Sequence, residues 1–215
     1  MALDVCEIFY GIQGESTYQG MPCVFIRLSG CNLRCRWCDT GYAYDAGLTM
    51  SISEIMEKAG QFGCPIVEVT GGEPLLQKET PALVDAFLNI GLLVLLETNG
   101  SQDIAKVDSR CIRIVDVKCP SSGMEEHNDY SNLSRMTEKD ELKFVIASRE
   151  DYEFARKRVR LLDFDGCRMN AIHFSPVFGE LDPKTLAEWI LQDRLEVRLH
   201  LQMHKFIWGK DARGV

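Results

Sequence analysis

Cys31, Cys35 and Cys38 are spaced C-x3-C-x2-C within the run Gly30-Cys31-Asn32-Leu33-Arg34-Cys35-Arg36-Trp37-Cys38-Asp39-Thr40. This spacing brings three thiolates within reach of one centre. Thiolates are soft ligands that suit zinc or iron–sulfur clusters, and closed sites of either kind ordinarily take four protein ligands. Only three are local here. Either a distant cysteine or histidine completes a structural zinc site, or one metal position stays open for a ligand. Cys6 and Cys23 are the nearest completing candidates, but both stand in alternating, strand-like runs where a buried thiol is the simpler reading. The open cluster is the better fit. Cys64, Cys111, Cys119 and Cys167 are scattered near strand and turn positions and read as structural, Cys119 least firmly.

The elements that must position this loop follow from short apolar runs alternating with amphipathic stretches, the pattern of an α/β chain with a mostly parallel sheet. Strands are expected at Cys23 to Leu28, Ile66 to Thr70, Leu92 to Glu97, Ile112 to Lys118, Glu141 to Ile146, Asn170 to Ser175 and Glu196 to Leu201. Ser51 with Glu54 forms a capping box, Ser148 with Asp151 resembles one, and Asp182-Pro183 places an N-cap before a first-turn proline. The polar segment between Lys118 and Glu141 reads as a long loop with room for a helical turn. The first twenty residues read as a short strand and loop packed on the rest. Sheets of this kind gather their chemistry at the carboxyl ends of the strands. Thr70-Gly71-Gly72-Glu73-Pro74, Glu97-Thr98-Asn99-Gly100, Lys118-Cys119-Pro120 and Ser175-Pro176-Val177-Phe178 all fall there. The two glycines permit positive φ and close backbone approach, and Glu73 supplies an acceptor. Taken alone, Gly-Gly-Glu-Pro would be an ordinary turn before a helix.

The three-cysteine loop after the first core strand, followed by a Gly-Gly-Glu-Pro turn after the second, resembles the radical S-adenosylmethionine (SAM) superfamily. That resemblance implies a partial, TIM-like β/α barrel and a [4Fe-4S] cluster on Cys31, Cys35 and Cys38. SAM would chelate the fourth iron and be cleaved to a 5'-deoxyadenosyl radical. It assigns the SAM contacts to Trp37, Cys38, Asp39, Gly71, Gly72, Glu73, Asp116, Val117, Lys118, Ser175, Pro176, Val177 and Phe178. Within the superfamily, Ile12-Gln13-Gly14-Glu15, Arg27, the Cys-Asp-Thr ending of the cluster loop, Thr70-Gly71-Gly72-Glu73-Pro74, Glu97-Thr98-Asn99-Gly100, Glu141-Leu142-Lys143 and His204-Lys205 are similar to the 7-carboxy-7-deazaguanine synthase family over essentially the whole chain. The resemblance implies a lyase that converts 6-carboxy-5,6,7,8-tetrahydropterin to 7-carboxy-7-deazaguanine with loss of ammonia, on the route to deazapurines such as queuosine.

On that resemblance Ile12, Gln13, Gly14, Glu15, Arg27, Thr70 and His204 meet the substrate and Thr40 meets Mg2+. A pterin offers a guanine-like edge that suits Gln13 and Glu15, and a carboxylate that suits the planar guanidinium of Arg27. Each has a plainer reading, as loop residues or as an outward strand position. A Thr hydroxyl is a reasonable hard ligand for magnesium. No protein general acid or base is nameable from the sequence. The cluster loop has plain short spacing, whereas some family members carry an insertion there. The chain also continues past His204 as Lys205 to Val215, where family members can end on a carboxylate folded toward the substrate. His173 and His200 fall in strand patterns and read as packed or hydrogen-bonded, and His127 lies in the polar loop.

At 215 residues with 46% hydrophobic content, the chain is expected to form one domain over residues 1–215. Residues about 1–22 would serve as a substrate segment and about 203–215 as a tail. A formal net charge of −8 argues against a nucleic-acid surface, which draws on clustered Lys and Arg. No apolar run approaches the roughly 18 residues that span a bilayer. Nine cysteines, an odd count, in a chain that does not open on a leader-like segment suggest reduced thiols and a cytoplasmic setting. The resemblance adds a homodimer and, by analogy, a flavodoxin-type electron donor. Two rivals remain at this stage: an activase that installs a glycyl radical on a partner protein, and a non-catalytic zinc or iron–sulfur protein.

Overall fold

The computed structural model describes residues 1–45, 47–165 and 169–215, and Cys167 lies outside them. Strand β1 (Ala2–Ile12) runs antiparallel to β2 (Pro22–Leu28) and to β3 (Leu48–Ser51). The remaining strands are β4 (Ile66–Gly71), β5 (Leu93–Thr98), β6 (Ile112–Asp116), β7 (Glu141–Ile146), β8 (Ala171–Pro176) and β9 (Arg198–Leu199). They pair in parallel from β2 onward, in the order β3-β1-β2-β4-β5-β6-β7-β8-β9. With β3 and β9 at opposite edges the sheet stays open, which is the partial β/α barrel expected from the sequence.

Alternation along the parallel strands divides the sheet into two faces. Val24, Ile26, Leu28, Val67, Val69, Val94, Leu96, Leu142, Phe144 and Phe174 pack in the main core. That core also takes residues from helices α1 (Ile52–Gly60), α2 (Thr80–Asn89), α3 (Arg149–Asp165) and α4 (Pro183–Asp193). The opposite, concave face closes at its base with Cys23, Phe25, Ile66, Leu95, Ile112 and Ile114. One or two positions further along the same face the residues turn polar: Arg27, Glu68, Thr70, Glu97, Asp116 and Lys143. The barrel mouth is therefore charged while its floor is apolar.

The capping signals were legible. Ser51 Oγ accepts Glu54 N–H at 3.3 Å while the Glu54 carboxylate accepts Ser51 N–H at 2.8 Å, and Asp182 caps Lys184 N–H at 3.1 Å. At α3 only half of the box forms. Ser148 Oγ accepts Asp151 N–H at 3.2 Å, but the Asp151 carboxylate turns to Ala147 N–H and Ser121 N–H, both at 2.8 Å. This ties the helix start to the 118–141 loop, which itself contains three 3-10 turns rather than one helical turn.

Two strand expectations need correction. The amino-terminal strand is eleven residues long, and a register shift between Val5 and Glu7 breaks the alternation that would reveal it in the sequence. β9 shrinks to two residues because it is an edge strand paired only with β8, and the chain then turns into α5 (Met203–Trp208).

Candidate active site

A cavity of about 600 Å³ opens at the carboxyl ends of the parallel strands, within the range of roughly 300–1,000 Å³ usual for small-molecule sites. Cys31, Cys35 and Cys38 all line it, as free thiols. Their loop is held from several sides. Leu33 is buried, Arg34 donates to Cys31 O at 2.9 Å and lies over the Tyr44 ring at 4.1 Å, and Arg36 makes a two-point contact with Glu180 at 2.6 and 3.2 Å. Neither candidate for a fourth zinc ligand shares this wall: Cys23 is fully buried and Cys6 is also absent from the cavity lining. Among the described residues no trio of His, Cys, Asp or Glu is drawn together tightly enough to hold a single metal ion.

Trp37, Asp39, Gly71, Gly72, Asp116, Lys118, Val177 and Phe178 line the same cavity. A Cβ on Gly71 would stand 2.2 Å from Leu28 O, and one on Gly72 2.2 Å from Gly30 O, so the turn is glycine because it packs on the backbone that enters the cysteine loop. Gly72 N–H and Glu73 N–H are taken by Leu28 O at 3.2 Å and Gly30 O at 2.8 Å, leaving the Gly72 carbonyl to accept from a ligand amino group. Glu73 itself does not face the cavity, contrary to expectation. Its fully buried carboxylate accepts from Leu75 N–H at 2.9 Å, Thr98 Oγ1–H at 2.9 Å and Asn99 N–H at 2.7 Å, locking the ends of β4 and β5 together. Val117, Ser175 and Pro176 likewise stand behind the lining rather than on it.

The residues present fit the bound group that the cysteine motif implies. One buried polar atom on the cavity wall at the end of β6, Asp116 Oδ1, has no hydrogen-bond partner among the described residues, and buried polar atoms are rarely left so. It sits where a nucleoside contact was expected. Thr40 lines the cavity and donates to Asp39 Oδ1 at 3.0 Å, so its oxygen lone pairs remain free to accept a hard cation.

The other half of the cavity is charged. Ile12, Gln13, Gly14, Glu15, Arg27, Thr70 and His204 line it, all anticipated, and with them stand Tyr42, Glu68, Glu97, Lys143 and Gln202, to which the sequence reading gave no role. Lys143 pairs with Glu15 and, at 2.8 Å, with Glu97. Burial opposes the Lys143 charge, but Glu15 and Glu97 outweigh it and hold the ammonium well above its usual range. For Glu15, burial acts to raise the carboxyl, yet Lys143 with His200 and His204 holds it below the ordinary carboxylate range. Arg27 donates through Nε to Glu7 at 2.7 Å, and Tyr42 donates to the same carboxylate at 2.9 Å. The terminal guanidinium nitrogens are thus left for a ligand anion. Glu97 and Lys143 belong to short motifs visible in the sequence; their signal was a charge at the concave-face parity of an otherwise apolar strand.

The segment 13–20 that carries Gln13 and Glu15 is fastened from below. Buried Glu141 accepts Thr17 N–H at 3.0 Å, Thr17 Oγ1–H and His173 Nε2 at 2.7 Å. The tail beyond α5 also reaches the site. Lys205 pairs with Asp39 at 2.5 Å, Arg213 lies over the Tyr42 ring at 4.0 Å, and residues 210–215 line the cavity. The extra residues past His204 therefore form part of its wall.

The sequence pattern of the Radical SAM superfamily matches residues 25–117, which span the cysteine loop, the glycine turn and the end of β6. The chain is 49% identical to a 7-carboxy-7-deazaguanine synthase of Chlorobaculum tepidum, over 99% of this chain and 97% of that protein. It is 43% identical to one of Koribacter versatilis, over 99% and 100%. Among solved structures, QueE from Escherichia coli superposes with a TM-score of 0.77 at 24% identity, covering 95% of each chain, and shares the fold. With the cysteine loop, the glycine turn and a charged wall in one cavity, this likeness over the full length of the chain means that it belongs to the 7-carboxy-7-deazaguanine synthase family of radical SAM enzymes.

Proposed function

We propose that this enzyme converts 6-carboxy-5,6,7,8-tetrahydropterin to 7-carboxy-7-deazaguanine with release of ammonia, as a carbon–nitrogen lyase of deazapurine (queuosine) biosynthesis. The observation that carries the reading is that one cavity holds both halves the reaction needs, three unpaired thiols on one side and an Arg–Glu–Lys wall on the other. Cys31, Cys35 and Cys38 would hold a [4Fe-4S] cluster, which together with SAM would supply the radical chemistry for hydrogen-atom abstraction from the substrate. The chain's own residues bind, orient and exclude water. Arg27 presents its free guanidinium edge to the substrate carboxylate, and Glu15, held ionised by Lys143, accepts from N–H groups of the heterocycle. Asp116, Lys118 and the Gly72 carbonyl address the SAM side, while Trp37, Val177 and Phe178 supply apolar walls.

Magnesium belongs to the same proposal, with Thr40 as its protein ligand and substrate and water oxygens completing the shell. Residues 1–22 and 203–215 serve one catalytic unit spanning 1–215, supported by their shared place on the cavity wall. A homodimer, a flavodoxin-type electron donor and a cytoplasmic setting rest on the family resemblance. No helix among the described residues is long and apolar enough to cross a membrane.

The test is anaerobic reconstitution with iron and sulfide, then addition of SAM, Mg2+, a reductant and the carboxytetrahydropterin, with mass spectrometry for carboxydeazaguanine. Product formation is the expected result. 5'-Deoxyadenosine without that product would keep the radical chemistry and reject the substrate.

A further inference from the structure

Glu68 belongs to no motif, yet it occupies the middle of the substrate wall. On β4 it follows Ile66 and precedes Thr70 at the same parity, facing Phe25 of β2 and Leu95 of β5 across the sheet. Its side chain is 3% exposed and lines the cavity. The charged and titratable groups that act on it are Glu97 on β5, Glu15 in the 13–20 segment, and Arg27 and Cys23 on β2. Lys143 is committed to Glu15 and Glu97, and Arg27 to Glu7, so among the described residues no cation pairs with Glu68. Burial first, then the facing Glu97 and Glu15, push its carboxyl well above the usual range.

The hydrogen bonding decides where a proton on this carboxyl would lie. Gln13 Oε1 accepts the backbone N–H of Glu15 at 3.0 Å, which directs the Gln13 amide nitrogen at Glu68 Oε2. Gln13, which also lines the cavity, thereby orients Glu68 and keeps a second amide N–H for a ligand. Oε2 is the accepting oxygen, so a proton on this carboxyl would fall to Oε1, which has no hydrogen-bond partner among the described residues. An ionised Glu15 beside Lys143 and an uncharged acid at Glu68 together present both an acceptor and a donor to one bound ring.

We infer that Glu68 is a specificity-determining residue that binds the heterocycle as a neutral carboxylic acid, donating from Oε1 to a ring carbonyl or unprotonated ring nitrogen of the pterin. This rests on the proposed function above. The neutral state is what a Glu68→Gln side chain imitates, because an amide keeps a donor at the same reach, whereas Glu68→Leu and Glu68→Met keep volume and lose it.

The experiment is anaerobic calorimetric binding of 6-carboxy-5,6,7,8-tetrahydropterin to holoenzyme loaded with cluster and SAM, with substrate-free 5'-deoxyadenosine formation recorded for each variant as a check on the cofactor half. E68L and E68M are expected to bind the pterin about tenfold or more weakly, while E68Q recovers most of that loss. E68Q as weak as E68L would show that an ionised carboxylate does the binding and would overturn the inference. Wild-type affinity in E68L and E68M would overturn it too, with the substrate assignment intact. A loaded wild-type enzyme that binds no pterin would reject the substrate assignment and this inference together.

Discussion

Lys143 and Arg27 do different work on the same wall, and substitution should separate them. Lys143 is 5% exposed and bridges Glu15 and Glu97. Removing one partner of a buried ion pair leaves its mate uncompensated at about 3–5 kcal/mol. Lys143→Met is therefore expected to lose stability on that scale, read from the midpoint of chemical denaturation, with the loss reduced when Glu15→Gln is added. Arg27 is anchored through Nε alone, and its planar fork suits a carboxylate as the compact ammonium of lysine does not. A hydrogen bond to a charged group contributes about 1.5–3 kcal/mol. Arg27→Lys should raise the pterin KM roughly ten- to a hundredfold and leave substrate-free SAM cleavage at its wild-type rate, as steady-state kinetics will show.

At the scale of elements, strand ends and two flanking segments enclose the site. The parallel strands bring Arg27, Glu68, Thr70, Glu97, Asp116 and Lys143 to one mouth because every second residue points inward. The 13–20 segment closes one side, pinned on Glu141 through Thr17. Residues 210–215 close another through Arg213 on Tyr42 and the approach of Val215 to Gly11. Deleting 210–215 opens that wall to solvent without touching the cysteine loop. The expected result is a pterin KM raised about tenfold, since several ordering contacts of about 0.5–1 kcal/mol each are lost, with SAM affinity unchanged. Equal losses for SAM and pterin would instead assign the tail to the whole cavity.

Across the whole molecule, acid stability is governed in part by His200. Burial lowers its pKa from 6.5 to about 4, and neither ring nitrogen has a protein hydrogen-bond partner. Between these values the unfolded chain binds a proton that the folded chain excludes, so stability falls as pH drops from about 6.5 toward 4 and then levels. At about 1.36 kcal/mol per unit the effect is at most about 3 kcal/mol. His200→Leu should flatten that part of the stability profile, measured as urea midpoints at neutral pH and near pH 4.5. A wild-type slope in the variant would place the acid sensitivity elsewhere.

Much of this protein was determined by the sequence alone. Cysteine spacing, the glycine turn, the capping residues and the apolar strand runs are local signals, each contained within a dozen residues, and they placed the parallel strands, the cluster loop and the cofactor class. What they could not determine is which side chains meet across the barrel. Glu73 reads as a ligand group, yet three donors from β5 and its own turn consume it, because burial left its carboxylate no other source of hydrogen bonds. Glu68 reads as one charge in an apolar strand. Its meaning came only when strand register set it opposite Phe25 and Leu95, within the fields of Glu97 and Arg27, and a segment 55 residues away supplied Gln13. The register shift hid the length of β1, and the tail's path was undetermined because contacts distant in sequence, Arg213 with Tyr42 and Lys205 with Asp39, decide it. Local patterning sets elements and metal chemistry, while the substrate wall is a product of sheet order, and sheet order exists only in the folded chain.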